Sequence, residues 1–236
     1  MGDSEIEIRL LESADEMAAV GAMFQQVWGS VTPLVETELL CAIAHSGGYV
    51  IGAYDAGNIV GASFGFLGRH DGEDALHSHV TGILPGVQHT GVGRAIKEHQ
   101  RGWAAERGIR WITWTFDPLV RRNAWFNIEV LHADVAEYLE NFYGSMGDAI
   151  NGDDDSDRLL VAWPTDPRAE RRHAPDGART IEIETPDDIV RLRRTDPAAA
   201  ADWRRRVRAE LGEALEAGGV VTGFTRDGSY QVAVPA

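Results

Sequence analysis

The segment Ile83-Leu84-Pro85-Gly86-Val87-Gln88-His89-Thr90-Gly91-Val92-Gly93-Arg94-Ala95 constrains this chain more than any other. It ends an apolar run of strand character, places glycines at short spacing and opens a helical pattern. In such a strand-to-helix turn, successive backbone N–H groups point at one spot, and the helix N-terminus adds about half a positive charge there. The turn is an anion cradle made without lysine. Gly91 and Gly93 lack a Cβ, so an oxygen-rich group can approach the backbone closely and unusual φ values cost little. The phosphate-loop motif is absent, because Arg94-Ala95 stands where its Lys-Ser/Thr pair belongs. The dinucleotide fingerprint fits poorly too, since the spacing is Gln88-x-x-Gly91-x-Gly93 and the preceding strands have antiparallel character.

Periodicity and turn signals place the cradle in an alternation of elements. Residues 5–11 alternate as a strand. Residues 13–28 read as a helix with Ser13 as N-cap and Met17, Val20, Met23, Phe24 and Val27 as its apolar stripe. A second helix is expected over 32–43, then strands over 49–54 and 59–67 joined at Asp55-Ala56-Gly57-Asn58. A strand over 76–84 leads into the cradle and a helix over 92–107. Beyond it come a strand over 109–116, a helix over 119–131 and strands over 135–143 and 159–163. Residues 164–178 are polar, hold three prolines and read as a linker. After it a strand over 180–184, a helix over 197–217 and a hairpin of 220–224 with 230–234 are expected.

Charge divides the chain in the same place. Residues 1–166 hold 25 acidic against 10 basic residues, whereas 167–236 hold 12 of each. With a net charge of −15, the chain would repel a phosphate backbone, so nucleic acid is not an expected partner. Asp153-Asp154-Asp155 reads as a solvated loop, and the run Trp203-Arg204-Arg205-Arg206 as a mixture of core and solvent faces. No apolar run approaches the roughly 20 residues needed to cross a bilayer, which points to a cytoplasmic protein with no membrane partner. The single cysteine, Cys41, reads as a small core residue and excludes both a disulfide framework and a multi-cysteine zinc site; no metal is expected.

Gln88-x-x-Gly91-x-Gly93, with Ile83-x-Pro85 upstream and this order of elements, resembles the signature of the GNAT superfamily of coenzyme A dependent N-acyltransferases. The resemblance covers about residues 5–166. It implies a mixed α/β (α+β) fold with a mostly antiparallel central sheet flanked by helices, followed here by a small C-terminal α+β extension. The expected division is a catalytic domain over 1–166, a linker over 167–178 and an extension over 179–236. The extension is marginal in size for independent folding and is expected to pack on the first part or on a second subunit of a homodimer. The resemblance further implies acetyl-coenzyme A or coenzyme A as the donor. Backbone of Gln88, His89, Thr90, Gly91, Val92, Gly93 and Arg94 would hold the pyrophosphate, and strand backbone at Thr81, Gly82 and Ile83 would pair with the pantetheine arm. Asn123 is a candidate partner for the pantetheine amides.

Acyl transfer to an amine needs the amine neutral, and deprotonating a primary amine at pH 7 costs about 4 kcal/mol. His77 and His79 lie two apart on one strand, hence on one face, and imidazole suits a base at neutral pH. The pair is similar to the His-x-His of arylalkylamine N-acetyltransferases in the same superfamily, with His79 the better single candidate. The usual tyrosine acid of the superfamily is missing: residues 119–133 hold no tyrosine, Ile128 falls near its place, and Tyr138 or Tyr143 would have to substitute. Asp117 reads as a helix cap or a reader of a substrate cation. The expected activity is transfer of an acyl group, with acetyl as the leading case, to a primary amine of a small molecule by direct attack. Three alternatives stand beside it. One is a non-catalytic acyl-coenzyme A sensor whose Arg-rich tail docks a partner. Another is a succinyl-coenzyme A dependent amino-acid acyltransferase that uses Arg121 or Arg122, and the third is a protein acetyltransferase.

Overall fold

The computed structural model describes residues 6–88, 90–144 and 154–236. They divide into two compact units, one of residues 1–113 with 164–167, the other of residues 114–163 with 168–236. The segment after the polar stretch thus groups with residues 114–163. Among the described residues no helix is long and apolar enough to cross a membrane.

The first unit contains β1 (Glu7–Leu10), α1 (Ala14–Trp28), α2 (Thr37–His45), β2 (Tyr49–Asp55), β3 (Asn58–His70), β4 (Glu73–Ile83), α3 (Val92–Glu106) and the first half of β5 (Trp111–Phe116). Its strands run in the order β1-β2-β3-β4-β5, antiparallel until the parallel step from β4 to β5. Ser13 caps α1 as expected and forms a capping box with Glu16, whose carboxylate accepts the Ser13 N–H at 3.0 Å. Ala56 and Gly57 turn the β2–β3 hairpin, both at positive φ. Helix α2 begins five residues later than its apolar pattern suggests, with Glu36 in extended conformation as its N-cap; upstream, the Ser30 hydroxyl donates to the Thr32 carbonyl at 2.7 Å. β3 and β4 are also longer than expected and meet at Asp71-Gly72, a two-residue turn at positive φ. The charged flank Arg69-His70-Asp71-Gly72-Glu73-Asp74 conceals the strand alternation, although the Asp-Gly pair was a hairpin signal.

Helix α1 packs on one face of this sheet through Met17, Val20, Met23 and Phe24 against Ala62 and Phe64, with Cys41 and Val80 at the margin. The other face receives α3, where Gln100 reaches Ser63 and the Trp103 ring stands 5.2 Å from that of Tyr49.

The second unit opens with the last half of β5. It continues with α4 (Arg121–Trp125), which widens into a π-turn at Phe126–Val130, then β6 (Asp134–Leu139) and β7 (Arg158–Pro164). After these come β8 (Arg179–Glu184), α5 (Ile189–Thr195), α6 (Pro197–Val207), a π-turn at Arg208–Gly212, α7 (Glu213–Glu216), β9 (Val220–Phe224) and β10 (Ser229–Val234). β8, β10 and β9 form a three-stranded antiparallel sheet. The sequence reading missed α5, which Asp188 caps by accepting the Arg191 N–H. The single helix expected over 197–217 is divided at the π-turn that carries Arg208 to Asp155 and Asp157.

A buried ion cluster organises this unit and corrects the reading of Asp154 as solvated; Asp155 is exposed as expected, and Asp153 lies outside the described residues. Asp117 accepts the Leu119 N–H as a cap and also binds Arg204 through both oxygens, at 2.9 and 3.1 Å. Arg193 joins Asp117, and Asp154 accepts from Arg193 and Arg204 at 3.0 Å each. Burial alone would raise the Asp117 pKa, but Arg204 and Arg193 outweigh it and hold the carboxyl well below the usual range. These two arginines are consumed inside the unit, while Arg205 and Arg206 of the same run face solvent.

Candidate active site

The site is built on β4 and α3 of the first unit. β4 is not a regular strand: against β3, Phe64 pairs with Val80 and Gly65 with Ser78, which leaves His79 as an extra residue, a β-bulge. Gly65 is needed beside it, since a Cβ there would stand 2.6 Å from the His77 carbonyl oxygen. Before and at the bulge, His77 and His79 share the face that carries Phe64 and Phe66. Their ring centroids lie 6.0 Å apart, and the Phe66 ring lies 5.2 Å from His77 and 5.6 Å from His79. After the bulge the alternation is reversed, and Thr81 lies on the α3 face with its hydroxyl 2.8 Å from that of Ser63.

The two histidines differ in setting. His77 is half-buried with Nδ1 3.1 Å from the Thr113 hydroxyl, and burial, then the charges of His79 and Lys97, push its pKa down to about 4. His79 is exposed and packs its ring on Phe64 at 5.5 Å; burial of part of the ring lowers it also. In both, the fold favours the neutral ring over the imidazolium.

Beyond the histidines, the β5-side edge of β4 has no ladder partner among the described residues. The ladder between β4 and β5 covers Ala75, Leu76 and His77. Further on, the Leu84 N–H donates to the Val60 carbonyl of β3 at 2.9 Å. By the alternation of antiparallel strands, the backbone groups of Gly82 then point to β3, and those of Thr81 and Ile83 point to the opposite edge. Gly82 has a packing reason as well, because a Cβ would come within 2.8 Å of Trp28 and 2.9 Å of Phe24.

The chain then makes a 3-10 turn at Pro85–Val87 and enters α3. Gln88 donates its side-chain amide to the Ile83 carbonyl at 3.4 Å, and Thr90 donates its hydroxyl to the Val87 carbonyl at 2.7 Å, so both side chains shape the turn itself. His89 lies outside the described residues. Gly91 is the N-cap of α3 at φ +93°, with open space where a Cβ would stand. Among the described residues no side chain caps the helix, and no acidic residue occupies its first turn, where Gly93 and Arg94 follow the buried Val92. These features fit an exposed, anion-seeking backbone cradle.

Asn123 belongs to the second unit, on α4, with its N–H bonded to the Val120 carbonyl at 2.9 Å. In that unit Ile128 is buried, the Tyr138 hydroxyl donates to Asp157, and the Tyr143 hydroxyl lies 3.2 Å from Thr115 Oγ1. Arg121 is engaged with Thr185 and Asp187.

No family model matches the sequence, and no curated protein matches it as a sequence relative. Solved structures do match in fold. The ribosomal-protein-S18-alanine N-acetyltransferase from Escherichia coli covers 72% of this chain and 99% of its own, with TM-score 0.54 and 17% identity. An acetyltransferase of the GNAT family from Streptococcus pneumoniae covers 68% of this chain and 99% of its own, with TM-score 0.51 and 16% identity. The chain has the GNAT fold. A further GNAT-fold match is yncA from Salmonella typhimurium, solved with its cofactor acetyl-CoA, which covers 72% of this chain and 99% of its own at TM-score 0.55 and 16% identity. The mixed, mostly antiparallel sheet expected from the sequence is thus the one observed.

Proposed function

We propose that this chain is an acyl-CoA-dependent N-acyltransferase that transfers an acyl group, with acetyl as the leading case, to a primary amine of a small molecule. The observation that carries the reading is the pairing of two imidazoles, 6.0 Å apart, with a strand edge beyond the β4–β5 ladder and a glycine at the N-cap of α3 on neighbouring segments of chain. The donor's pyrophosphate would rest on the backbone of Gln88, Thr90, Gly91, Val92, Gly93 and Arg94, and its pantetheine arm along Thr81 and Ile83. The bound donor supplies an activated acyl thioester.

The chain's own residues would handle the proton. His77, at about 4, is a weak acceptor near neutral pH. His79 is exposed and is therefore the first acceptor of the amine proton, directly or through water, with His77 beside it. The net charge of −15 draws cationic amines towards the protein and disfavours anionic acceptors. The Escherichia coli neighbour is described as acting on an alanine of a ribosomal protein. A protein amine is thus the competing acceptor class.

A second reading, a non-catalytic acyl-CoA binder, is favoured by one observation: the Tyr138 hydroxyl donates to Asp157 and the Tyr143 hydroxyl lies 3.2 Å from Thr115 Oγ1, so each candidate phenol for the leaving thiolate is already engaged. Thermal unfolding with coenzyme A, acetyl-CoA and succinyl-CoA, followed by amine screening with a thiol readout, tests both. A shift with turnover supports the enzyme, a shift without turnover on any amine supports the binder, and no shift with any donor removes both.

A further inference from the structure

Helix α3 buries a stripe of Val92, Ile96, Lys97, Gln100, Trp103 and Ala104. Lys97 is the only lysine of the chain. A buried ammonium and amide in an otherwise apolar stripe cost stability unless they bond to something, and both converge on one atom. Lys97 Nζ donates to Ser78 Oγ at 3.0 Å, and Gln100 Nε2 donates to the same oxygen at 2.9 Å and to Ser63 Oγ at 2.9 Å. Ser63 in turn donates to the Val80 carbonyl at 2.9 Å and meets Thr81. The residues immediately before and after the bulged His79 are therefore both held, on the strand face away from its ring, by a network anchored in α3.

We propose that Lys97 and Gln100 are positioning residues for the histidine pair: they clamp Ser78 and the bulge from the same helix whose N-terminus forms the glycine cradle, fixing the base relative to the donor site. This rests on the acyltransferase reading. The link is rigid, because Gly91 and Gln100 lie on one hydrogen-bonded helix. It also has an electrostatic side. The charged groups bearing on His77 are His79 on its own strand and Lys97 from α3, while Thr113 of β5 and Phe66 of β3 face it uncharged. Burial lowers Lys97 to about 7, so it is charged throughout the range in which His77 titrates and disfavours the imidazolium.

The test compares wild type, Lys97→Met and Lys97→Gln. Lys97→Met puts an apolar chain into an apolar stripe and should fold; Lys97→Gln keeps a donor for Ser78 without the charge. Three quantities are measured: the imidazole titration of His77 by NMR, assigned with His77→Gln; kcat against pH on an amine that wild type acylates; and the Kd for acetyl-CoA. The expected result is a His77 titration moved to higher pH in both variants, kcat lowered tenfold or more in Lys97→Met and largely restored in Lys97→Gln, and a Kd within twofold of wild type. An unchanged His77 titration with kcat of Lys97→Met within twofold of wild type would overturn the clamp. No turnover by wild type on any amine would instead overturn the acyltransferase reading, and the imidazole titration would still decide whether Lys97 acts on His77.

Discussion

His79 and Thr81 are two residues apart on one strand, yet they lie on opposite faces of it: His79 packs on Phe64 at 5.5 Å, and Thr81 bonds to Ser63 towards α3. The bulge at His79 causes this reversal. It lets β4 present the histidine pair to one side and the Thr81 hydroxyl to the other, while the backbone of Thr81 and Ile83 stays directed away from β3. The histidine pair, that edge and the glycine turn thereby lie on a single run of chain.

If His79 accepts the amine proton, His79→Ala lowers kcat by about 100-fold or more, the usual share of a positioned base. The Kd for acetyl-CoA, read by calorimetry, stays within twofold. Part of the loss is recovered as pH approaches the amine's own pKa. A variant with wild-type kcat at pH 7 removes His79 from the mechanism.

Gly91 at φ +93° is strained for any residue with a Cβ, although the space beside it is open. Gly91→Ala therefore costs about 1–2 kcal/mol by backbone strain alone. That corresponds to a melting point lower by roughly 2–8 °C for a chain of this size. Binding of acetyl-CoA weakens in parallel. Gly68→Ala, with nothing near its Cβ position and no positive φ, is the control and leaves both unchanged.

His77 titrates near 4 in the folded state against about 6.5 when unfolded. Between these values the unfolded chain binds more protons, so the contribution of His77 to stability is full above about 6.5 and is lost as pH falls towards 4. Chemical unfolding at pH 6.5 and 4.5 should show wild type losing about 2 kcal/mol more than His77→Gln, allowing for partial exposure. Equal losses in the two proteins would show that the folded state does not disfavour the imidazolium.

Asp117→Ala removes one of the two carboxylates that Arg193 and Arg204 share, leaving two buried guanidiniums on Asp154, and is expected to cost about 3–5 kcal/mol, measured by denaturant unfolding. The Asp117 pKa is lowered in the fold, so its contribution is present above the normal carboxylate range and is lost on acidification. Arg206→Ala, which breaks ion pairs to Glu184 and Glu210 at the surface, should cost under about 1 kcal/mol.

Much of this arrangement was legible in the residues. Ser13 with Glu16 announced the start of α1, Asp55 to Asn58 announced a hairpin, and Gln88-x-x-Gly91-x-Gly93 announced a strand-to-helix turn, because caps, turns and glycine conformations depend on neighbours within a few positions. The spacing of His77 and His79 placed both on one face for the same reason. Asp117 reads as a helix cap or as a reader of a substrate cation; it is a cap, and its two arginine partners lie 76 and 87 positions away. Lys97 stands out in the sequence only as the single lysine, and Gln100 not at all, since a polar residue in a helical stripe carries no local sign of where it points.

Local chemistry, then, determined most of the elements, the glycine turn and the shared face of the histidine pair, which follow from short-range periodicity, turn geometry and residue type; α5 and the break at Arg208–Gly212 did not follow from it. Tertiary structure alone decided that β4 bulges at His79, that α3 holds Ser78 from behind, and that Arg193 and Arg204 are buried rather than free. Each of these depends on which distant groups a fold brings within hydrogen-bond reach. A buried polar group must find its partner there whatever the separation along the chain.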